Sequence, residues 1–160
     1  MSKLSHVDEQ GAVHMVDVGS KDLTKRTAVA QATVHAQSET IDLIFSGELP
    51  KGDVVATAKL AGIMAAKKTS DLIPLCHPLP ITSANIDIKR RDAEHITLLA
   101  TVHVAGKTGV EMEALTAVSI AALTLYDMAK AVDKGISIQD VKLVLKEGGK
   151  SGRYELVEPC

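Results

Sequence analysis

The sequence predicts one compact domain that contains both helices and β-strands. Its 160 residues are about the length of a single domain and are enough to enclose a core. Residues 27–35 alternate small apolar side chains with larger ones, at the period of two that is typical of a strand. Residues 110–132 carry apolar side chains around most of a helical circumference. We therefore expect a long helix buried against a sheet.

The composition limits the core, the partners and the compartment that we expect. Apolar residues make up 46% of the chain, but it has no Trp, one Phe and two Tyr, so the core must consist of Ala, Val, Leu, Ile and Met. The net charge of −2 gives no overall attraction to nucleic acid or to anionic membranes. Two cysteines cannot form a disulfide framework, and no apolar run reaches the roughly 20 residues of a membrane span. We predict a soluble, cytoplasmic protein without nucleic-acid or membrane partners.

In the first third of the chain, the sequence predicts a flexible N-terminal segment, a strand and two helices. Residues 1–25 are polar and without a sustained period, which predicts a flexible N-terminal segment before a single domain over residues 26–155. After the strand, the run from Ser38 to Thr40 offers an N-cap, and Gly47 closes a short helix. Asp53 is placed to cap a second helix that reaches residue 66. Lys51 lies just before this helix, where free N–H groups favour an anion.

A proline-rich connector follows. Pro74, Pro78 and Pro80 restrict the backbone and hold Cys76 and His77 in a stiff, extended stretch outside any helix. Two interpretations are open. The pair is either a small apolar Cys beside a solvated His in a rigid connector, or a pair presented to a ligand.

The second half predicts a hairpin, the long helix and a final strand region. Residues 81–89 and 95–104 have strand patterns and are joined by the polar residues 90–94. Residues 136–145 are also strand-like, with a change of phase near Asp140 that predicts a bulge. The run from Gly106 to Thr108 looks like part of a P-loop, but that motif requires Gly where Thr101 stands, so we reject it.

Asp127 and Lys130 stand out because the predicted helix around them is apolar. They are three residues apart and therefore share one helix face. One interpretation is a surface ion pair worth about 0 to 1 kcal/mol. The other is an acid–base couple, in which a partly desolvated Lys loses its proton more easily and the carboxylate holds or relays that proton.

Charged residues elsewhere indicate a polyanionic small molecule. The glycine-rich loop of residues 146–153 can wrap an anion with its backbone while basic side chains supply charge. From the residues alone we predict a phosphate-bearing substrate and leave the reaction undetermined. The cationic candidates are Arg26, Lys51, Lys130, Lys146 and Lys150, and the acidic candidates are Glu111, Glu113 and Asp127.

Five motifs resemble those of the cyclic pyranopterin monophosphate synthase family, the C proteins of molybdenum-cofactor biosynthesis. The likeness extends over nearly the whole chain, from residue 14 to residue 152, and its longer motifs are specific. The motifs are KGD at residues 51–53, DLIPLCHPL at residues 71–79, GKTGVEMEALT at residues 106–116, LYDM at residues 125–128 and GGKSG at residues 148–152.

This resemblance implies a fold, an assembly and a reaction. The fold is α+β, with a ferredoxin-like antiparallel sheet and helices packed on it, assembled as a homohexamer of three dimers. The reaction opens and rebuilds the purine-derived ring of 3′,8-cyclo-7,8-dihydroguanosine 5′-triphosphate and closes a cyclic phosphate, giving cyclic pyranopterin monophosphate and diphosphate. Such an enzyme is a lyase. The competing hypothesis is a non-catalytic protein that binds a pterin or a nucleotide.

The resemblance also implies residue roles. Asp127 and Lys130 act in catalysis, with Lys51 beside them. The remaining expected substrate contacts are Leu75, Cys76, His77, Met112, Glu113 and Glu111 for the substrate body, and Arg26, Lys146 and Lys150 for the triphosphate.

Three further expectations concern the site. Cys76 is expected to shape the pocket and not to act as a nucleophile, because the sequence places no base to activate it. The six His are dispersed without the spacing of metal ligands, so we predict no metal site and no cofactor, with Mg²⁺ bound to the triphosphate as the alternative considered. The long helix is apolar on more sides than one sheet can cover, so we expect an active site shared between subunits.

Overall fold

The order of strands and helices matches the mixed fold that the sequence predicts. The structure, a computed structural model, describes residues 5–157. Within this range the elements are β1 (Thr24–His35), α1 (Ser38–Ser46), α2 (Val54–Lys67), α3 (Thr69–Leu72), β2 (Ile81–Arg90), β3 (His95–Gly106), α4 (Glu111–Ala129), β4 (Ser137–Glu147) and β5 (Tyr154–Glu155).

The strands form one antiparallel sheet in the order β2-β3-β1-β4-β5. Without the short β5, the chain runs strand, helices, strand, strand, helix, strand, which is the ferredoxin-like arrangement. Helices α2 and α4 pack on one face of this sheet. The predicted α+β fold is thus confirmed.

Strand β1 lies in the middle of the sheet and has the alternation that the sequence predicts. Ala28, Ala30, Ala32 and Val34 are all completely buried on the face that meets the helices. Ala30 is paired with Ala100 of β3, which is also fully buried. Because these side chains are small, the helices approach the centre of the sheet closely.

Helices α2 and α4 also cross each other at close range. A Cβ atom on Gly62 of α2 would lie 3.0 Å from the carbonyl oxygen of Ala117 in α4 and 2.9 Å from Cγ1 of Ile86 in β2. The first distance is at the lower limit for real Cβ atoms and the second is below it, so a larger residue at position 62 would force Ile86 or the α4 backbone to shift. The crossing fixes α4 against both the sheet and α2.

Helix α4 has the broad apolar surface that the sequence predicts. Ala114, Val118 and Leu125 are fully buried, whereas Met112 and Leu123 are 38% and 52% exposed. The helix is long and apolar enough to cross a membrane, but more than half of it is buried inside the fold. We therefore interpret α4 as the core helix, with one strip that residues 5–157 leave exposed.

The ends of the helices agree only in part with the predictions. Gly47 adopts a left-handed conformation (φ 76°) after α1, and the Asp53 carboxylate accepts a hydrogen bond from the Ala56 N–H at the start of α2, both as predicted. The predicted N-cap of α1 at residues 38–40 is wrong. The cap residue is Gln37, and its side chain makes no capping bond. The carboxylate of Asp133, remote in sequence, accepts the Gln37 N–H instead.

Two further features concern the connector and β4. The one-turn helix α3 was not predicted, and it forms where the chain turns after α2. Cys76 and His77 lie outside the helices, as expected. Asp140 has a positive φ of 54°, and the β1–β4 register shifts opposite residues 31–33, which confirms the predicted bulge.

Candidate active site

Lys51, Asp127 and Lys130 form one hydrogen-bonded group, which we call the Asp127 cluster. Lys51 Nζ lies 3.0 Å from Asp127 Oδ2, and Lys130 Nζ lies 2.7 Å from Asp127 Oδ1. Lys51 comes from the loop between α1 and α2, Asp127 from the last turn of α4, and Lys130 is the C-cap of that helix. One carboxylate thus joins two ammonium groups, each of its oxygen atoms accepting from one of them.

The electrostatics of this cluster differ from the acid–base interpretation of the sequence. All three side chains are about half exposed. Hydrogen bonds from Lys130 and then from Lys51 lower the pKa of Asp127, and the hydrogen bond to Asp127 raises the pKa of Lys130. The expectation of a partly desolvated Lys130 that loses its proton easily is therefore wrong for this chain alone. In this arrangement Lys130 is a charged proton donor.

The contact that Lys51 makes also differs from the one that the sequence predicts. We expected it to attract an anion to the free N–H groups at the start of α2. The Asp53 carboxylate already accepts one of these groups, the Ala56 N–H, at 2.9 Å. Lys51 points instead to Asp127, whose backbone carbonyl oxygen also accepts from Nζ at 2.9 Å.

A pocket of about 300 Å³ lies at the opposite end of α4. Its walls come from the connector, the first turn of α4, the loop before α4 and the N-terminal segment. All six residues that the sequence analysis expects to contact the substrate body line this pocket. They are Leu75, Cys76, His77, Glu111, Met112 and Glu113.

Two titratable side chains in this pocket have unusual environments. Glu113 is only 3% exposed, and this burial raises its pKa to about 7, with a smaller contribution from the nearby charge of Glu111. Burial and, to a lesser degree, the charge of Glu113 raise the pKa of the Cys76 thiol. Near neutral pH Glu113 can therefore exchange a proton, while Cys76 remains a thiol and a poor nucleophile.

The N-terminal segment forms one wall of the pocket, which the sequence did not predict. His77 Nε2–H donates to the carbonyl oxygen of Val16 at 2.6 Å, and Lys107 Nζ donates to that of Gly19 at 2.6 Å. These bonds hold the segment against the connector and against the loop before α4. The available signal was the start of the family resemblance at residue 14, because the segment has no periodic pattern. Its pocket residues are Ser5, His6, Val16, Val18 and Lys21.

A larger cavity of about 730 Å³ adjoins the pocket and is lined by cationic side chains. The Arg26 guanidinium donates to the carbonyl oxygens of Gly106 and Lys107, at 3.1 and 3.3 Å. Lys146 forms an ion pair with Glu111, at the N-terminus of α4. All three residues expected to bind the triphosphate line this cavity, together with two lysines that were not predicted. The five are Arg26, Lys146, Lys150, Lys21 and Lys107.

The glycine-rich loop approaches β1 too closely for larger residues. Gly148 and Gly149 have φ values of 97° and 77°. A Cβ atom on Gly148 would lie 2.2 Å from the Lys25 carbonyl oxygen. The glycines therefore let the loop that carries Lys150 fold over the start of β1, where Arg26 lies.

The pocket and the cationic cavity are continuous, because Lys21, Thr108 and Gly109 line both. The Asp127 cluster lies elsewhere. Glu111 begins α4 and Asp127 is in its last turn, so about 24 Å of helix separates them at 1.5 Å per residue. Within one chain the structure brings together the expected substrate contacts, and it separates them from the expected catalytic residues.

The described residues contain no group of three or more His, Cys, Asp or Glu side chains that could hold a metal ion.

Comparison with known proteins gives a consistent result. The model of the MoaC family matches residues 15–149. A cyclic pyranopterin monophosphate synthase of Dinoroseobacter shibae is 57% identical over 156 residues, which are 97% of this chain and 99% of that protein. Proteins of the same name from Parvibaculum lavamentivorans and Herpetosiphon aurantiacus are 58% and 57% identical over 96% and 95% of the chain, and over 96% and 93% of their own lengths. These matches confirm the resemblance inferred from the motifs, and the chain belongs to the MoaC family.

Proposed function

We propose that this chain is a cyclic pyranopterin monophosphate synthase, a lyase of molybdenum-cofactor biosynthesis. It converts 3′,8-cyclo-7,8-dihydroguanosine 5′-triphosphate into cyclic pyranopterin monophosphate and diphosphate. Relatives with this name align with nearly the whole chain. The observation that carries the proposal within this structure is the continuity of the pocket with the cationic cavity. One surface thereby offers a partly apolar recess for a ring system beside a basic surface for a triphosphate.

The triphosphate occupies the cationic cavity in this proposal. Arg26, Lys146 and Lys150 supply positive charge, and the loop of Gly148 and Gly149 brings backbone N–H groups close to them. The Lys146–Glu111 ion pair must loosen or be shared when phosphate arrives, because the ammonium group then has two anionic partners. Such cationic groups also stabilise the charge of departing diphosphate.

The ring system occupies the pocket. Leu75 and Met112 offer apolar contact, His77 and Glu113 offer hydrogen bonds, and Cys76 shapes the wall. Ring opening and rebuilding require several proton transfers. Glu113, whose pKa burial raises to about 7, is suited to give or take a proton near neutral pH.

The Asp127 cluster supplies the catalytic groups. Closure of the cyclic phosphate joins a hydroxyl oxygen of the substrate to the α-phosphorus, breaks the bond from that phosphorus to the diphosphate oxygen and releases the hydroxyl proton. Lys51 and Lys130 are placed to donate hydrogen bonds to developing negative charge, and Asp127 holds both ammonium groups at about 3 Å or less.

The complete site takes residues from two chains in this proposal. The Asp127 cluster is about 24 Å along α4 from the first turn that faces the pocket, which exceeds the length of a nucleoside triphosphate. A second copy would supply its own Asp127 cluster to the pocket of the first. The exposed Leu123 on α4 and Leu60 on α2 provide apolar surface for contact between copies. The family resemblance extends this pairing to a homohexamer of three dimers.

The proposal includes a cytoplasmic location, a small-molecule partner and no resident cofactor. The net charge of −2 gives no overall attraction to nucleic acid or anionic membranes, and α4, the one described helix that is long and apolar enough to cross a membrane, is mostly buried in the fold. Mg²⁺, where it accompanies the substrate, would take phosphate oxygens as ligands, as it does with nucleotides generally.

The decisive experiment supplies the purified protein with the cyclised triphosphate and measures diphosphate and the pterin product. A synthase releases one diphosphate for each pterin formed. The competing hypothesis, a non-catalytic pterin or nucleotide carrier, predicts saturable binding of the same compound without diphosphate. That second outcome would reject the proposed function.

A further inference from the structure

Asp133 is a buried charged residue that the proposed mechanism does not use. The residue is 4% exposed and lies in the turn after α4. Oδ2 accepts hydrogen bonds from the Gln37 N–H at 2.9 Å and from the Thr40 hydroxyl at 3.2 Å, and Oδ1 accepts from the Gly135 N–H at 3.0 Å. A buried carboxylate is costly unless it is well bonded, so this one is retained in a defined geometry.

These bonds connect two parts of the chain that carry the Asp127 cluster. Gln37 and Thr40 lie at the start of α1, whose own cap residue makes no side-chain bond. The carboxylate therefore acts as a cap supplied from another element, at the helix end where negative charge is favoured. Asp133 itself follows Asp127 by six residues, across the end of α4.

The other end of the α1 segment leads to Lys51. Leu49, which is 4% exposed, and the Gly52 N–H bond to the Leu49 carbonyl oxygen fix the turn that carries this lysine. In the described part of the chain, the hydrogen bonds between residues 37–51 and the region from Asp127 to residue 135 are two donated by Lys51 and two accepted by Asp133. The segment is thus attached to the end of α4 at two points, and Asp133 is the buried one.

We propose that Asp133 is a positioning residue for the Asp127 cluster, whose carboxylate fixes the start of α1 to the turn after α4 and so holds Lys51 within hydrogen-bond distance of Asp127. The inference rests on the proposed function for its effect on turnover. The geometric part concerns only the contact between Lys51 and Asp127 and is testable without substrate.

The test compares Asp133→Asn and Thr40→Val with the wild-type protein. Asn has one acceptor oxygen in place of two, and Val keeps the shape of Thr without its hydroxyl. The first readout is the titration of the Asp127 carboxyl, followed by carbon NMR in the intact oligomer. Lys130 and Lys51 are the charged groups that bond this carboxyl, and Tyr126 is the titratable neighbour on the same helix. If Lys51 moves away, the pKa of Asp127 rises toward its ordinary value, although Lys130 still lowers it.

If Asp133 acts by positioning Lys51, the rise in the pKa of Asp127 must depend on the presence of Lys51. In a Lys51→Ala background the pKa of Asp127 starts higher, and Asp133→Asn should then raise it no further. The second readout is diphosphate release from the cyclised triphosphate. We expect a loss of about 10- to 100-fold in kcat from the misplaced lysine, with a smaller change in KM. The acid limb of the pH profile of kcat should move to higher pH together with the NMR titration.

A control separates positioning from lost stability. Val102→Ala removes buried side-chain volume from β3, where Val102 pairs with Ala28 of β1 and takes no part in the hydrogen bonds of Asp133 or of the Asp127 cluster. It should lower the melting temperature without changing the titration of Asp127. If Asp133→Asn fails to fold, Thr40→Val, which removes one of the three bonds, gives the same comparison.

Any one of three results would overturn the proposal. The first is an unchanged titration of Asp127 in folded Asp133→Asn and Thr40→Val. The second is an equal change of that titration in Val102→Ala, and the third is an undiminished effect of Asp133→Asn in the Lys51→Ala background. If the wild-type protein lacks synthase activity, the proposed function fails, and the NMR titrations still decide whether Asp133 positions Lys51.

Discussion

Lys51 binds Asp127 at two oxygen atoms, the backbone carbonyl at 2.9 Å and carboxylate Oδ2 at 3.0 Å. The lysine therefore fixes the end of α4 and orients the carboxylate at once. The two residues are far apart in sequence and belong to different elements.

Asp127→Asn should abolish turnover and leave the fold intact. The amide offers one acceptor in place of two charged oxygens, so it cannot hold both ammonium groups, and we expect kcat to fall by at least about 100-fold. The measurement is diphosphate release, with a thermal melt as the test of folding. Asp42→Asn is the matched control, because Asp42 is also an exposed carboxylate paired with a cation, Arg90, at 2.6 Å. Near-normal diphosphate release by Asp127→Asn would remove this residue from the mechanism.

Glu113 should make the stability of the protein fall as pH rises toward neutrality. Its folded pKa of about 7 lies above the ordinary value of 4.5 because of burial. The folded state therefore binds the proton more tightly than the unfolded state does. The resulting contribution, about 3 kcal/mol, is present in full below about pH 4.5 and is lost as pH rises through about 7.

Glu113→Gln tests this linkage, because the amide does not titrate. Urea denaturation at about pH 5 and about pH 8 should show a smaller loss of unfolding free energy in the variant than in the wild-type protein. Equal losses in the two proteins would contradict the raised pKa of Glu113.

Lys146 should bind phosphate more tightly when its partner carboxylate is neutralised. Glu111→Gln removes the ion pair, so we expect inorganic triphosphate to bind up to about fivefold more tightly. Lys146→Ala and Lys150→Ala should weaken binding about tenfold each, and the affinity of the wild-type protein should decrease as salt is raised.

Calorimetry with inorganic triphosphate at two ionic strengths measures these changes. Lys89→Ala is the control, since that lysine is 75% exposed on the edge strand β2, away from the cationic cavity. Salt-independent affinity, or an equal effect of Lys89→Ala, would argue against the cationic cavity as the triphosphate site.

Cys76 should be dispensable for chemistry. Burial raises the pKa of its thiol, so little thiolate is present at neutral pH. Cys76→Ser should keep turnover within about tenfold of the wild-type value, with the change mainly in KM, because the side chain shapes the pocket. In a Cys160→Ser background, alkylation at neutral pH should be slow. A loss in kcat as large as that of Asp127→Asn would show that the thiol takes part in the reaction.

Mixing two inactive variants should restore activity if the site is shared. Asp127→Asn changes the Asp127 cluster at the end of α4, and Lys150→Ala changes the cationic cavity near the start of that helix. In a mixed two-fold dimer, one of the two sites then has neither defect, so random mixing should restore about a quarter of wild-type activity. The control is Lys146→Ala mixed with Lys150→Ala, since both defects lie in one cavity and every mixed site keeps one of them. If mixed oligomers form and the first pair stays inactive, the shared site is wrong.

Much of the fold is visible in local patterns. The alternation of β1, the hairpin of β2 and β3, and the apolar surface of α4 depend on neighbours along the chain, and all three have the predicted type and nearly the predicted bounds. The cap of α1 depends on Asp133, which is remote in sequence, so local reasoning placed it wrongly. Residues 38–40 have the side chains that local rules expect at an N-cap, but the capping bond of α1 comes from the buried carboxylate of Asp133.

The candidate site was predictable by residue and not by arrangement. The family motifs contain the predicted residues that line the pocket, and the basic residues selected from the sequence line the cavity beside it. The predicted helix over residues 110–132 already places Glu111 and Asp127 at opposite ends. Only the structure shows that Lys51 joins Asp127 at one end and that the pocket and the cationic cavity lie at the other, because these contacts are between residues remote in sequence. The raised pKa of Lys130 was also out of reach, since it depends on the exposure of its side chain and on the bond with Asp127.

The hydrogen bond from His77 to Val16 shows that the residues needed for the pocket begin before the first strand does. A fragment that begins at Thr24 would keep every strand and helix that the structure describes, and it would still lose Val16, Val18 and Lys21 from the pocket wall. Such a truncated protein would unfold normally in a stability assay and still bind its substrate poorly. Domain trimming guided by secondary structure alone would therefore remove part of the recognition surface, leaving His77 without its carbonyl partner and the recess open to water on one side.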